Sequence, residues 1–144
     1  MPTRYIEILL IGKSLLGVYW MNTVSVLIID DSSFARRMLS AALKELGYEV
    51  IAAESGSEGI KRAVEQKPDI LITDLLMPGH DGFWVLDQLK SLNLKVSTII
   101  FTSDVQTTTK ERCLRMGADA FLTKPLKKEE LDTAIRNALA RGKR

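Results

Sequence analysis

The chain has 144 residues, 46% of them hydrophobic and 26% charged, which suits one globular domain with a real core and leaves no room for a second. One cysteine (Cys113) and one histidine (His80) exclude an internal disulfide framework and a Cys/His zinc cage, and any Ser-His-Asp or Cys-His hydrolase would have to pass through His80. Twenty Lys and Arg against 18 Asp and Glu give a formal charge of +2, too balanced to argue a nucleic-acid partner. The lone cysteine fits a reducing, cytoplasmic setting.

Ile6 to Met21 is apolar but broken by Glu7 and Lys13. A membrane span takes about 20 largely uncharged residues, so no span is expected. No small-residue cleavage site follows Trp20, which argues against a secretory signal. Three readings stand for this segment: a product of start-site choice with Met21 as the true start, a helix packing on the domain or a partner, or a weak interfacial anchor. Residues 1–22 are therefore set apart as an extension, 23–141 read as the domain and 142–144 as a short basic tail.

From Met21 onward strands and helices alternate. Val24 to Ile29 is a β-branched run of strand length, and Ala35, Met38, Leu39, Ala42 and Leu46 recur at helical offsets before Gly47. Tyr48 to Ala53 is a second strand. Ser55-Gly-Ser-Glu58 reads as a capping box, with Ile60, Ala63 and Val64 on the buried face of the helix that follows. Asp69 to Thr73 is a third strand, Pro78 to Gly82 a loop, and Phe83, Leu86 and Leu89 mark a short third helix. Thr98 to Phe101 is a fourth strand, Val105 to Met116 a fourth helix closed by Gly117, and Ala120 to Leu122 a fifth strand. Leu131, Ala134, Ile135, Ala138 and Leu139 give the last helix its apolar stripe.

Strands apolar on both faces, separated by amphipathic helices, predict an α/β domain with a five-stranded, doubly wound parallel sheet covered on both sides. Function in such sheets gathers beyond the carboxyl ends of the strands. There the first strand runs into Asp30-Asp31, the third into Asp74, the fourth into Thr102 and the fifth into Lys124-Pro125. Two like charges about 4 Å apart repel by roughly 4 kcal/mol at an effective dielectric near 20, so three converging carboxylates need a cation or must stay partly protonated. An all-oxygen acidic site suits Mg²⁺, and with a lysine and a hydroxyl it suits a phosphoryl group carried on a carboxylate. Taken singly, Asp31 or Ser32 is a helix cap, Thr102 a loop hydroxyl and Lys124-Pro125 a turn. Five such residues at the ends of four separate strands exceed punctuation.

Together, Asp30-Asp31, Asp74-Leu-Leu-Met-Pro-Gly-His-Asp-Gly82, Phe101-Thr-Ser103 and Lys124-Pro125 resemble the response-regulator receiver domain of two-component signalling, over about residues 23 to 141. The resemblance implies the flavodoxin-like strand order 2-1-3-4-5. It implies that Asp74 takes a phosphoryl group from the phosphohistidine of a sensor histidine kinase or a histidine phosphotransfer protein. Asp31, Asp74 and the Leu76 carbonyl would hold Mg²⁺ directly, with Asp30 acting through a metal-bound water. Thr102 and Lys124 would bind phosphoryl oxygens, the acyl phosphate would later hydrolyse, and the Lys124–Pro125 bond would be cis. Phe121 stands where the family places an aromatic that changes rotamer with Thr102, so output is expected on the fourth helix, fifth strand and fifth helix.

Some positions depart from familiar members. Leu76 is apolar, which puts the hydrolysis rate in doubt, and Asp104 is expected to orient or repel the attacking water. Ser103 reads as a tolerated small residue, His80 as a solvated loop residue, and Trp84 as surface anchor or packing. Because only Arg141-Gly-Lys-Arg144 follows the last helix, the expectation is a stand-alone receiver, monomeric or weakly dimeric, acting on an unidentified protein partner. Intrinsic phosphorylation and dephosphorylation would make it a signalling protein rather than a metabolic enzyme. A pseudo-receiver that only binds partners would normally lack an acidic residue or the lysine. A dehalogenase-type aspartyl-phosphate phosphatase would show Asp-x-Asp where this chain has Asp30-Asp-Ser-Ser33, and a flavodoxin-like electron carrier would show a Ser/Thr/Gly-rich loop there.

Overall fold

The computed structural model describes residues 4–11 and 14–142. β1 (Arg4–Ile11) and β2 (Ser14–Asn22) form an antiparallel ribbon that is a sheet of its own. Its register sets Ile6 opposite Trp20 and Ile8 opposite Val18, with a shift between Leu9 and Leu10. The helical reading of this segment is therefore corrected. β-branched and aromatic residues crowd it, and Gly17 inside a helix would cost about 1 kcal/mol.

The rest alternates as expected: β3 (Ser25–Ile29), α1 (Ser33–Glu45), β4 (Glu49–Ala53), α2 (Gly56–Gln66), β5 (Ile70–Thr73), α3 (Gly82–Ser91), β6 (Ser97–Thr102), α4 (Thr107–Arg115), β7 (Ala120–Thr123) and α5 (Lys128–Arg141). The sheet order is β4-β3-β5-β6-β7, every pair parallel. Counted from β3, this is the expected order 2-1-3-4-5.

Pleating sorts the core. Val26 and Ile28 of β3 face one way and pack with Leu39, Leu43, Leu131 and Ile135 of α1 and α5. Leu27 and Ile29 face the other way and meet Ile60, Ala63, Val85 and Leu89 of α2 and α3. Each such Leu or Ile contributes roughly 1.5–3 kcal/mol of transfer free energy when fully buried, and the central strands bury theirs completely. A third cluster, Leu75, Leu86, Ile100, Cys113 and Ala118, lies beneath α4 with Phe83 and Phe121 at its margin.

Local chemistry sets the ends of the elements. Ser55 caps α2 by accepting from the Glu58 N–H at 3.2 Å, but the Glu58 carboxylate reaches the Glu54 N–H at 2.9 Å rather than that of Ser55. α4 begins at Thr107, two residues later than expected, because Asp104 takes the Gln106 N–H at 2.9 Å in a turn that competes with helix. Gly59 lets α2 approach the sheet: a Cβ there would collide with the Ile29 side chain. No described helix is long and apolar enough to cross a membrane.

Candidate functional site

Backbone bonds at the strand ends carry the ladder one residue beyond each strand and so align the site. The Asp30 N–H donates to the Ala53 carbonyl, that of Asp74 to Ile29, and that of Lys124 to Thr102, at 3.2, 3.0 and 2.8 Å. The carboxylates thereby converge. Asp30, Asp31 and Asp74 can each offer one oxygen within 4.8 Å of the others.

Their surroundings differ. Asp30 is 4% exposed; one oxygen accepts the Ser32 N–H at 2.9 Å and the other the Lys124 ammonium at 2.9 Å. Asp74 is buried as well; Oδ1 accepts the N–H groups of Leu75 and Leu76 at 2.7 and 3.2 Å, and Oδ2 accepts from Lys124 at 3.0 Å. Ser32 serves as the cap of α1, accepting from the Ala35 N–H at 3.2 Å. Asp31 is thus spared the cap role; it is exposed and has no hydrogen bond or ion pair among the described residues.

Lys124 answers the repulsion expected from the sequence. Burial pulls its ammonium pKa down, but hydrogen bonds and charge from Asp30 and Asp74 outweigh burial and hold it above the ordinary lysine value. One ammonium meets two of three carboxylates and leaves the exposed third open. That donor set is all oxygen, acidic and reachable from solvent, which fits a hard divalent cation such as Mg²⁺.

The remaining expected residues fall at different distances from this centre. The Leu76 backbone lies against Asp74 through its N–H, while its side chain is 62% exposed at the mouth. Thr102 is fully buried, and its hydroxyl accepts from the Asp104 N–H at 3.4 Å rather than touching Asp74. Phe121 sits farther back, packed in the cluster under α4. The Lys124–Pro125 bond is cis, as expected.

Asp104 is engaged locally. Its two carboxylate oxygens accept from the Gln106 N–H and, at 3.0 Å, from the Thr109 hydroxyl, which ties the turn before α4 to the first turn of that helix. His80 is exposed but not merely solvated: its ring stacks on Trp84 at 3.8 Å between centroids. Trp84 packs against the α2–α3 cluster, which makes it packing. Cys113 is wholly buried, and burial pushes its thiol pKa up, away from reactivity.

Sequence reasoning missed one site residue. The sequence places Gly82 at the end of a loop, yet a Cβ there would strike the Asp74 carbonyl oxygen and the Leu75 backbone. Its N–H donates to the Leu75 carbonyl at 3.1 Å, closing the loop onto the residue after Asp74. The Asp81-Gly82 pair was the available signal, with Asp81 capping α3.

Comparison with known proteins agrees with this geometry. The family model described as "Response regulator receiver domain" matches residues 26–136, and the chain belongs to that family. Protein PilH of Pseudomonas aeruginosa is 38% identical over 117 residues, covering 80% of this chain and 97% of that protein. A response regulator receiver domain protein from Clostridium thermocellum superimposes with a TM-score of 0.77 at 31% identity, over 82% of this chain and 95% of that one. The CheX–CheY–BeF3–Mg complex from Borrelia burgdorferi matches with a TM-score of 0.77 at 25% identity, over 81% and 89%. The chain spans about half the length of several other curated relatives, transcriptional regulators among them.

Proposed function

We propose that this receiver accepts a phosphoryl group on Asp74 from a phosphohistidine of a sensor kinase or phosphotransfer protein. The Asp74 carboxylate attacks phosphorus, the P–N bond breaks, and the imidazole leaves with the electron pair and is protonated. Asp31, Asp74 and the Leu76 carbonyl would hold Mg²⁺, with Asp30 acting through water. The ion supplies positive charge for the transferring oxygens. Lys124 exchanges its bond to Asp74 for a phosphoryl oxygen while keeping Asp30. Thr102 accepts from Asp104, so its own proton is available for a second phosphoryl oxygen. Drawing Thr102 forward opens space into which Phe121 turns, and the surface of α4, β7 and α5 repacks for a partner. A tenfold partner preference needs only about 1.4 kcal/mol of differential contact.

Hydrolysis of the acyl phosphate is expected to be slow. Leu76 offers no polar group at the mouth, and the Asp104 carboxylate is already engaged, so neither orients water. The donor's approach is supported by an apolar groove beside Lys124, lined by Phe34, Met38, Pro125 and Leu126. A buried, inert thiol is consistent with work in the cytoplasm.

One observation carries the reading: a single ammonium bridges Asp30 and Asp74 while Asp31 stays open beside them. Intact mass spectrometry with a small acyl phosphate and Mg²⁺ tests it. Gain of one phosphoryl group, prevented when Mg²⁺ is chelated before the donor is added, is expected; an unmodified mass under saturating donor would sink the proposal.

A further inference from the structure

Arg36 stands in the first turn of α1, six residues beyond Asp30, and its side chain is only 16% exposed. Its Nη1 donates to the Asp30 carbonyl oxygen at 2.7 Å. Its Nη2 lies 3.4 Å from Glu54 Oε1, and the Glu54 N–H donates to Glu58 Oε2 at 2.9 Å. The Asp30 carbonyl belongs to the peptide that joins Asp30 to Asp31. That one rigid plane joins the two Cα atoms from which the carboxylates project, so tilting it moves both. On its Asp30 side the unit is also held by Ser32 and Lys124, whereas Asp31 has no side-chain partner of its own among the described residues. Its placement near Asp74 therefore depends on the peptide that Arg36 grips.

We propose that Arg36 is a positioning residue for divalent-cation binding, clamping the Asp30–Asp31 peptide so that the Asp31 carboxylate stays within reach of Asp74. This rests on the Mg²⁺ reading above and extends it to a residue that touches no ligand. Two possible actions of Arg36 have opposite signs. As a nearby cation it would oppose a second cation, so removing it would tighten Mg²⁺ binding. As a clamp it preorganises the site, so removing it weakens binding. The charge is partly offset by Glu54 and screened by solvent, whereas the 2.7 Å bond acts directly on the ligand-bearing peptide. The clamp prevails.

Calorimetric Mg²⁺ titration of the full chain, at fixed ionic strength and with no phosphoryl donor, tests this. The set is wild type, Arg36→Met, Arg36→Lys and Asp31→Asn, each shown folded by its thermal transition. Arg36→Met should weaken Mg²⁺ by roughly tenfold, the lower end of what loss of a partner behind a metal ligand costs. Arg36→Lys keeps charge and a donor and should recover part of the loss, and metal-free amide shifts at Asp31 and Ser32 should move in the Met variant. Unchanged or tighter binding in Arg36→Met, with Asp31→Asn impaired, overturns the clamp. Asp31→Asn binding as well as wild type overturns the metal reading instead. Should Arg36→Met fail to fold, Arg36→Lys decides alone, since affinity equal to wild type would remove any need for the guanidinium geometry.

Discussion

At the edge where the strands begin, Asp69 accepts the Ser25 N–H at 2.9 Å and the Ser25 hydroxyl at 3.3 Å, and Asp119 accepts the Thr98 N–H at 2.8 Å. At the edge where the strands end, Asp30, Asp31 and Asp74 crowd together, and Lys124 bridges Asp30 and Asp74 while Asp31 stays open. The same side chain thus does opposite things at the two ends of one sheet. Asp69 and Asp119 each staple a strand to its neighbour by accepting from backbone donors, which stabilises. The other three repel one another, and the one ammonium among them reaches only two, which costs stability and leaves room for a ligand. What separates the two edges is not burial but crowding: Asp69 and Asp119 stand apart on backbone donors, whereas three carboxylates gather where one cation faces them.

The sharpest break between the edges is chemical. Asp74→Asn should abolish phosphoryl labelling in the mass spectrometer, while Asp69→Asn should label as wild type; equal labelling of Asp74→Asn would remove it as the acceptor. Next comes metal. Asp31→Asn should lose Mg²⁺ affinity beyond the roughly 10–100-fold typical of an outer partner, and Asp30→Asn should stay within that range. The reverse order in a titration would mean the pair is assigned backwards.

Stability should divide the edges by sign. Asp119→Ala strips the Thr98 N–H of its acceptor and should lower the unfolding free energy by about 1–3 kcal/mol in urea titrations. Asp31→Asn removes a repelling charge without breaking a bond, and should leave stability unchanged or raise it by up to about 1 kcal/mol. Two destabilised variants would erase the distinction. A smaller effect lies at alkaline pH. The folded-state pKa of Lys124 is raised, so its contribution is complete below the unfolded lysine value and fades as pH climbs through the folded one. The urea midpoint of wild type should therefore fall more between neutral and strongly alkaline pH than that of Lys124→Met. The smallest effect should come from the separate ribbon: a chain beginning at Met21 should label at Asp74 at the wild-type rate, and a loss would tie β1 to the domain.

Much of this was legible in the residues, for identifiable reasons. Continuous apolar strands and stripes such as Leu131, Ile135 and Ala138 obey burial, which periodicity reports directly. The strand-end aspartates were legible because topology alone carries them to one edge. Where reading failed, a local competitor decided the outcome. Residues 4–22 carry apolar content without a period, and strand pairing displaces the helical alternative among the three readings of this segment. The bonds of Asp104 to Gln106 and Thr109 delay α4, and a one-dimensional reading gives no hint of them. Gly82 matters through a close approach to Asp74, signalled only by the Asp81-Gly82 pair, and Arg36 through a bond to a carbonyl that leaves no trace in spacing.

The stack of His80 on Trp84 gives the molecule its own optical probe. An indole in contact with an imidazole has an emission yield that depends on ring separation and on the charge of the partner. Both rings belong to the stretch running from Asp74 into α3, so any rearrangement of that loop on phosphorylation or cation binding changes the quenching. With Trp20 replaced by Phe to remove the other indole, Trp84 fluorescence should follow loading of the site in real time without an attached dye. His80→Ala should brighten the signal and blunt its response.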